Sequence, residues 1–430
     1  MNKEGVAAIP IVTAKSTQRF TLSVILFITC MIAYLDRVNV SVLIADPKFI
    51  SDMGITGQPV KMGLLMTLFL VTYGIFGAVL GPIGDKVGPR RAMISSIFLW
   101  TISVLIGGLA PTFALMLISR LILGAGEGLH WPMQFLFVKN WFPPKERGKA
   151  NSAFLLGIMV GPAIAMPFFT WIIVGLGWRS SFFALFLLGL IPLFLLWRYV
   201  TDHPYQHKKI SKAELEHIES GLKEEAAIES QKKIESLRDS FASFCTNYRF
   251  WLVTLNHVAI CAIWFGMMAW LPSYLRSARG FSWAAMGGLS ALPYIMGSVS
   301  ILYFGHLSDK LGKRALLTAI GHLSAAISIY LGAHAESNLI AAVVISFGVV
   351  AMGLSLPSSW AVLQKIVPAK AVGAGAGLVS GVGNIVSAFT PVIIGYFIAI
   401  TGGYNGGLMF LVGVGVMGFI CMSVLALQKY

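Results

Sequence analysis

The chain is 430 residues long, 57% hydrophobic and only 12% charged, and it carries 45 glycines. A soluble chain of this length carries about a quarter charged residues, so the composition excludes an ordinary soluble domain. The net charge of +14 would suit a nucleic-acid partner, but its placement, taken up below, argues against one.

Residues 1–19 are polar to mixed, and no cleavable leader is expected. The first apolar block is of full length and ends in charged residues rather than at a small-residue cleavage site. Twelve apolar blocks follow, at roughly 20–44, 62–83, 92–110, 113–137, 150–174, 180–200, 250–274, 284–307, 315–334, 338–364, 372–400 and 405–427. Each has the roughly 20 residues a helix needs to cross a bilayer. The expected fold is an all-α membrane protein of twelve transmembrane helices. Its parts are a cytoplasmic N-terminus (1–19), a six-helix bundle (20–200), a cytoplasmic linker (201–249) and a second six-helix bundle (250–430). The mixed charges of the linker predict one or two short surface helices.

Basic residues crowd alternate loops: Lys86, Arg90 and Arg91; Lys145, Arg147 and Lys149; Lys310, Lys313 and Arg314; then Lys370. The intervening loops hold few, which is the positive-inside pattern. It predicts that both termini and the linker lie in the cytoplasm, and it assigns the basic balance to topology and anionic lipid. The cysteines, Cys30, Cys245, Cys261 and Cys421, show no metal-ligand spacing and suggest no disulfide.

The two bundles repeat one another. "GPIGDKVGPRR" at 81–91 returns as "GHLSDKLGKR" at 305–314, and "PPKERGKANSAFLLG" from Pro143 is echoed by "PAKAVGAGAGLVSG" from Pro368, at offsets of 224 and 225. Parallel halves with a binding site between them at mid-membrane are a standard transporter plan. In the repeated turn, glycines permit close helix approach, and an aspartate near arginines on a neighbouring helix end makes a latch that closes in one state and opens in the other. The gating residues on this reading are Gly81, Asp85, Gly88, Arg90 and Arg91 in the first copy and Asp309, Gly312 and Arg314 in the second. The plainer alternative is a positive-inside loop.

This duplicated loop resembles that of the major facilitator superfamily. "YLDRVNVSV" in the first helix is similar to the signature of its anion:cation symporter family, which includes bacterial galactonate, hexuronate and glucarate carriers and the vesicular glutamate and sialin group. "RLILGAGEG", "WFPPKERGKA", "WFGMMAWLPSYL" and "PVIIGYF" extend the resemblance over essentially the whole chain.

Apart from loops and helix ends, four charges remain inside the membrane: Asp36, Arg37, Arg120 and Glu127, all in the first half. A charge at mid-membrane costs at least about 2.5–3.5 kcal/mol, so such groups are functional candidates by default. Arg120 and Glu127 are two turns apart and share a face. Gly124, Gly126 and Gly128 let neighbouring helices approach and desolvate Glu127, which favours its protonated form. Tyr34, Arg37 and Ser41 form a stripe on the first helix, with Asp36 about 100° round from Arg37. The planar fork of Arg37 suits a substrate carboxylate. Asp36 is expected to pair with Arg120 in at least one state and to titrate when that pair breaks. The alternative, two static ion pairs holding the fold, is poorly supported because buried pairs stabilise little.

The resemblance implies that Asp36 and Glu127 are the protonation sites and that Arg37 lies in the substrate pocket. It adds Tyr73 and Trp360 as substrate contacts, for each of which simple packing is the alternative. Trp264 is a similar tryptophan. Ser380 and Asn384 share a face of the eleventh helix among glycines, as cavity-lining helices do. His130, three residues after Glu127, either relays a proton, binds an anion or is an interior histidine donating to a backbone carbonyl. Where sugar-acid carriers of the family place polar groups, this chain has Ile158, Pro357 and Ser380, which implies a smaller or less hydroxylated anion.

The expectation is therefore a proton-coupled symporter importing an organic carboxylate by alternating access. It would work without cofactor, metal or nucleic acid, as a multi-pass monomer in the inner membrane of a prokaryote. The alternatives are an anion or organophosphate exchanger without proton coupling and a transporter-shaped sensor. No nucleotide-binding loop or nucleophile constellation points to an enzyme.

Overall fold

The computed structural model describes residues 18–80, 83–230, 243–368 and 371–430. Twelve helical spans long and apolar enough to cross a membrane lie among them. They are span 1 (Gln18–Leu43), span 2 (Pro59–Leu80), span 3 (Pro89–Leu109), span 4 (Phe113–Trp141), span 5 (Pro144–Leu176) and span 6 (Trp178–Tyr199). The second set is span 7 (Tyr248–Ala278), span 8 (Trp283–Leu311), span 9 (Arg314–His334), span 10 (Asn338–Ile366), span 11 (Val372–Thr401) and span 12 (Tyr404–Leu427). Each expected block overlaps one span, and the ends differ by a few residues because capped helices run past their apolar runs. Thr112 and Ser337, for example, begin spans 4 and 10 by accepting from the backbone N–H of Leu115 and Ile340.

The outer surface is apolar, with Trp171, Leu187 and Trp197 each more than 60% exposed. That is the surface hydrocarbon would cover, since lipid leaves backbone groups to be satisfied within the helices. Span 11 breaks after Ser387 and resumes at Thr390. The Pro391 carbonyl there is taken up by the Trp270 indole N–H of span 7 at 2.9 Å.

Side-chain contacts place several segments on one face of the bundle. The start of the linker grips the loop between spans 2 and 3: Asp202 accepts from the Arg90 backbone N–H at 2.7 Å, and Trp141 donates to the Thr201 carbonyl. Gly88 has φ +87, and any Cβ there would also run into the Asp202 carboxylate, so only glycine fits this turn. The linker helix Lys212–Ser230 docks on the loop between spans 4 and 5. Arg147 makes a bidentate pair with Glu225 at 2.6 and 2.8 Å, and His217 contacts Glu146 at 2.8 Å. The beginning of span 1 joins the same cluster through the Arg19 backbone N–H to Glu214. The Arg147 guanidinium holds the Glu225 carboxyl below the usual carboxylate range.

The two sets of spans meet tightly at the far end and separate toward the linker. A Cβ at Gly63 of span 2 would overlap the Pro391 carbonyl of span 11, and one at Gly395 would overlap the Pro59 carbonyl. The Val392 N–H donates to Thr67 at 3.2 Å. Gly287 of span 8 likewise presses on Thr170 of span 5. Midway, Gly74 still meets Ile385. Below it on the same line of span 11, Gly381, Gly377 and Gly373 face open space. The space between the halves therefore opens toward the face that carries the linker.

Candidate functional site

Span 1 supplies the centre of the site. Its residues from Ile32 to Leu43 are all buried, Asp36 and Arg37 among them. Arg37 donates from Nε to Oε2 of Glu127 on span 4 at 2.7 Å, with side chains 3% and 0% exposed. The guanidinium lies between two aromatic faces, 4.5 Å from the Tyr34 ring centroid and 4.4 Å from that of Tyr73, with Phe69 at 5.4 Å. Cation–π attraction of this kind holds an arginine in place without consuming its remaining N–H donors. Span 4 can press Glu127 so close because its glycines remove bulk: a Cβ at Gly128 would collide with the Tyr73 carbonyl of span 2, and one at Gly126 with the span 3 backbone at Trp100.

The pairing observed is Arg37 with Glu127. Asp36 and Arg120 lie within electrostatic reach but form no ion pair in this state. Both Asp36 carboxylate oxygens, Nε and Nη2 of Arg120 and Oε1 of Glu127 are buried without a protein hydrogen-bond partner. The guanidinium of Arg120 sits 5.4 Å over the Phe182 ring of span 6, inside the first half. Asn39, Ser41 and Ser119 add further unpartnered polar atoms around this cluster. Unsatisfied buried polar groups are rare in folded proteins, and here they concentrate beside an ion pair.

His130 does not donate to a backbone carbonyl. Its Nε2 lies 2.7 Å from the Gln134 amide nitrogen, which also donates to the Leu26 carbonyl at 3.2 Å. The amide donates to the Leu26 carbonyl and faces Nε2 of the ring, which stands edge-on to Trp100.

Across the interface, Trp360, Ser380 and Asn384 are all partly exposed. Trp360 packs 5.0 Å from the ring of His257, and His257 Nε2 lies 3.5 Å from Cys261 Sγ. His257 and Cys261 escaped sequence reasoning, because a histidine and a cysteine one turn apart in an apolar run carry no pattern that separates a lining residue from a packed one. Trp264 instead stacks edge-on against Tyr294 at 5.5 Å. All four cysteines are free.

Of the gating residues, Gly81 lies outside the described residues, and the side chains of Asp85 and Asp309 are likewise not described. The Arg90 side chain donates to the Leu196 and Trp197 carbonyls at the end of span 6. Arg91 is exposed, and Gly312 turns with φ +66. Arg314 opens span 9. The arginine of the first turn thus caps a helix of its own half in this state.

Residues 26–391 match the family model described as Major Facilitator Superfamily. The chain is 28% identical to a probable galactarate/D-glucarate transporter of Bacillus subtilis, over 95% of this chain and 92% of that one. It is 29% identical to a probable sulfoacetate transporter of Cupriavidus necator, over 94% of each. A hexuronate transporter of Bacillus subtilis is 28% identical, over 95% of this chain and 94% of that one. Among solved structures, an inward-facing, unoccupied bacterial homolog of the human lysosomal transporter Spinster superposes with a TM-score of 0.77 at 17% identity, covering 96% of this chain and 97% of that one. A D-xylose–proton symporter gives 0.72 at 17% identity, covering 94% and 96%.

Proposed function

The chain belongs to the Major Facilitator Superfamily, and on that premise we propose that it is a secondary transporter importing an organic carboxylate together with protons. The observation that carries this reading is the Arg37–Glu127 pair, buried at the convergence of spans 1, 2 and 4. Arg37 has one internal carboxylate partner. An incoming carboxylate competes with Glu127 for the same guanidinium, and a proton on Glu127 releases that guanidinium. The two favourable arrangements are the internal pair, and a protonated Glu127 with the substrate on Arg37. A site that binds anion and proton together, and otherwise closes on itself, couples their movement. Asp36 is the second protonation site: its carboxyl has no hydrogen-bond partner and answers to the charges of Glu127, Arg120 and Arg37.

The linker face is the cytoplasmic one on the positive-inside rule, so the open end faces the cytoplasm and the contacts of spans 2 with 11 and 5 with 8 close the outside. Both termini then lie inside, in a bacterial inner membrane. Relatives named for galactarate, glucarate and hexuronate support an organic acid as the cargo. The proton gradient supplies the energy, with no cofactor. At 100 mV, one proton per monoanion cancels a cost of about 2.3 kcal/mol per charge, and a second proton adds as much again in driving force.

Uptake of sugar acids, short hydroxy acids and aromatic acids into proteoliposomes, with and without an inward proton gradient, tests this. Accumulation of at least one acid that collapses with the gradient is expected. Uptake indifferent to the gradient would remove proton coupling.

A further inference from the structure

The second half carries no counterpart to Arg37. Its arginines and its described lysines sit at helix ends or in loops: Arg249, Arg276, Arg279, Lys310, Lys313, Arg314, Lys365 and Lys429. Arg279 is fully engaged, donating to the Gly332, Ala333 and Ala335 carbonyls and to the Tyr274 hydroxyl. His322 is 0% exposed and faces Thr318 and Ser355 inside the bundle, pressed against Gly418. In the first half, Arg120 is turned away onto the Phe182 ring of span 6, inside its own half. Among the described residues, Arg37 is then the one arginine or lysine placed at mid-membrane between the halves.

The wall opposite is polar and holds no arginine, lysine or carboxylate among the described residues. His257 and Cys261 of span 7 contact one another, Trp360 of span 10 packs on the His257 ring, and Asn384 of span 11, next in sequence to the Gly383 that meets His257, is partly exposed. The seat of His257 is built: a Cβ at Gly383 would overlap its ring, so the glycine fixes where the imidazole stands.

From this asymmetry we infer that the carrier selects monoanionic acids, Arg37 taking the single carboxylate and the His257–Cys261–Trp360 wall taking the uncharged far end. The inference rests on the organic-acid reading above. A second carboxylate placed against this wall would be desolvated with no arginine or lysine to compensate it, which is the costly way to bury a charge. Hydroxyl or apolar ends meet donors, acceptors and an aromatic face there.

Two measurements on the whole protein in proteoliposomes test it. Uptake is compared within matched pairs: galactonate with galactarate, 3-hydroxybutyrate with malate, benzoate with phthalate. The monoacid of the transported pair should exceed its diacid by roughly 150-fold or more, the scale of an uncompensated buried charge. A diacid carried as fast as its monoacid would overturn the inference and leave the functional reading intact. No uptake of any acid in the broader panel would sink that reading, and the inference with it. Second, Cys261 is titrated with a methanethiosulfonate in a Cys245→Ser background, since Cys30 and Cys421 are buried. The transported monoacid should slow its modification several-fold, and the modification should block uptake. Unprotected modification that leaves uptake unchanged would remove this wall from the binding site.

Discussion

The two halves share a fold and part of a sequence, yet their interiors are chemically opposite. The first half buries Asp36, Arg37, Arg120 and Glu127 around one ion pair and a set of unpartnered polar atoms. The second buries His257 and His322 and half-buries Cys261 and Trp360, with its charges at the helix ends. Duplication preserves packing, because both halves must pass six helices through lipid. It does not preserve charge, because an intramembrane charge is retained only where it acts. On the function proposed above, the difference gives energy coupling to the first half and discrimination of the cargo's far end to the second.

The sharpest way to break this division is at Arg37. Arg37→Ala removes the counter-charge of both Glu127 and the cargo carboxylate, and binding should weaken by a hundredfold or more, about 3 kcal/mol or above. Isothermal titration with the best transported acid reads this out, and binding within tenfold of the parent would take Arg37 out of the site. Arg37→Lys should recover little, since an ammonium lacks the planar fork that stacks between Tyr34 and Tyr73.

Glu127→Gln should separate binding from coupling. Arg37 loses its internal competitor, so binding persists, its pH dependence flattens and gradient-driven accumulation falls by about tenfold or more. Counterflow exchange, which needs no net proton movement, should continue. Accumulation at the parent level would place coupling elsewhere.

A third variant acts on the interface between the halves. Gly63→Leu puts a side chain where the Pro391 backbone lies, so the closed end must part. Transport should fall severalfold with overpacking of roughly 1–3 kcal/mol against the closed-outside state. Labelling of cysteines introduced at the linker-side and opposite mouths should shift toward the latter, and an unchanged pattern would mean that this crossing does not hold the state.

The smallest effect belongs to the linker. The Glu225 carboxyl is lowered by Arg147, so its contribution is present above the ordinary value of 4.5 and lost as pH falls through the depressed folded value. The pair is partly solvated, with side chains 25% and 18% exposed. Glu225→Gln should therefore cost only about 0.5 kcal/mol at neutral pH. Thermal unfolding in detergent at pH 7 and at pH 3 checks the sign: the difference between parent and variant should be full at pH 7 and smaller at pH 3. A gap that widened in acid would contradict the pairing.

The sequence by itself determined the number and places of the spans, because a bilayer demands about 20 apolar residues per crossing whatever the neighbours are. It also exposed the four interior charges, because each is anomalous against an apolar background. Tertiary structure alone decided which charge meets which: spacing along spans 1 and 4 suggested Asp36 with Arg120, whereas the packing of spans 1, 2 and 4 joins Arg37 to Glu127. The same holds for Asp202 under Gly88, for Glu225 on Arg147 and for the His257 wall. Periodicity reports which face a residue occupies on its own helix, but a contact between helices depends on crossing distance and rotation, and these are set by bulk, such as the glycines of spans 2, 4 and 11, on every helix at once.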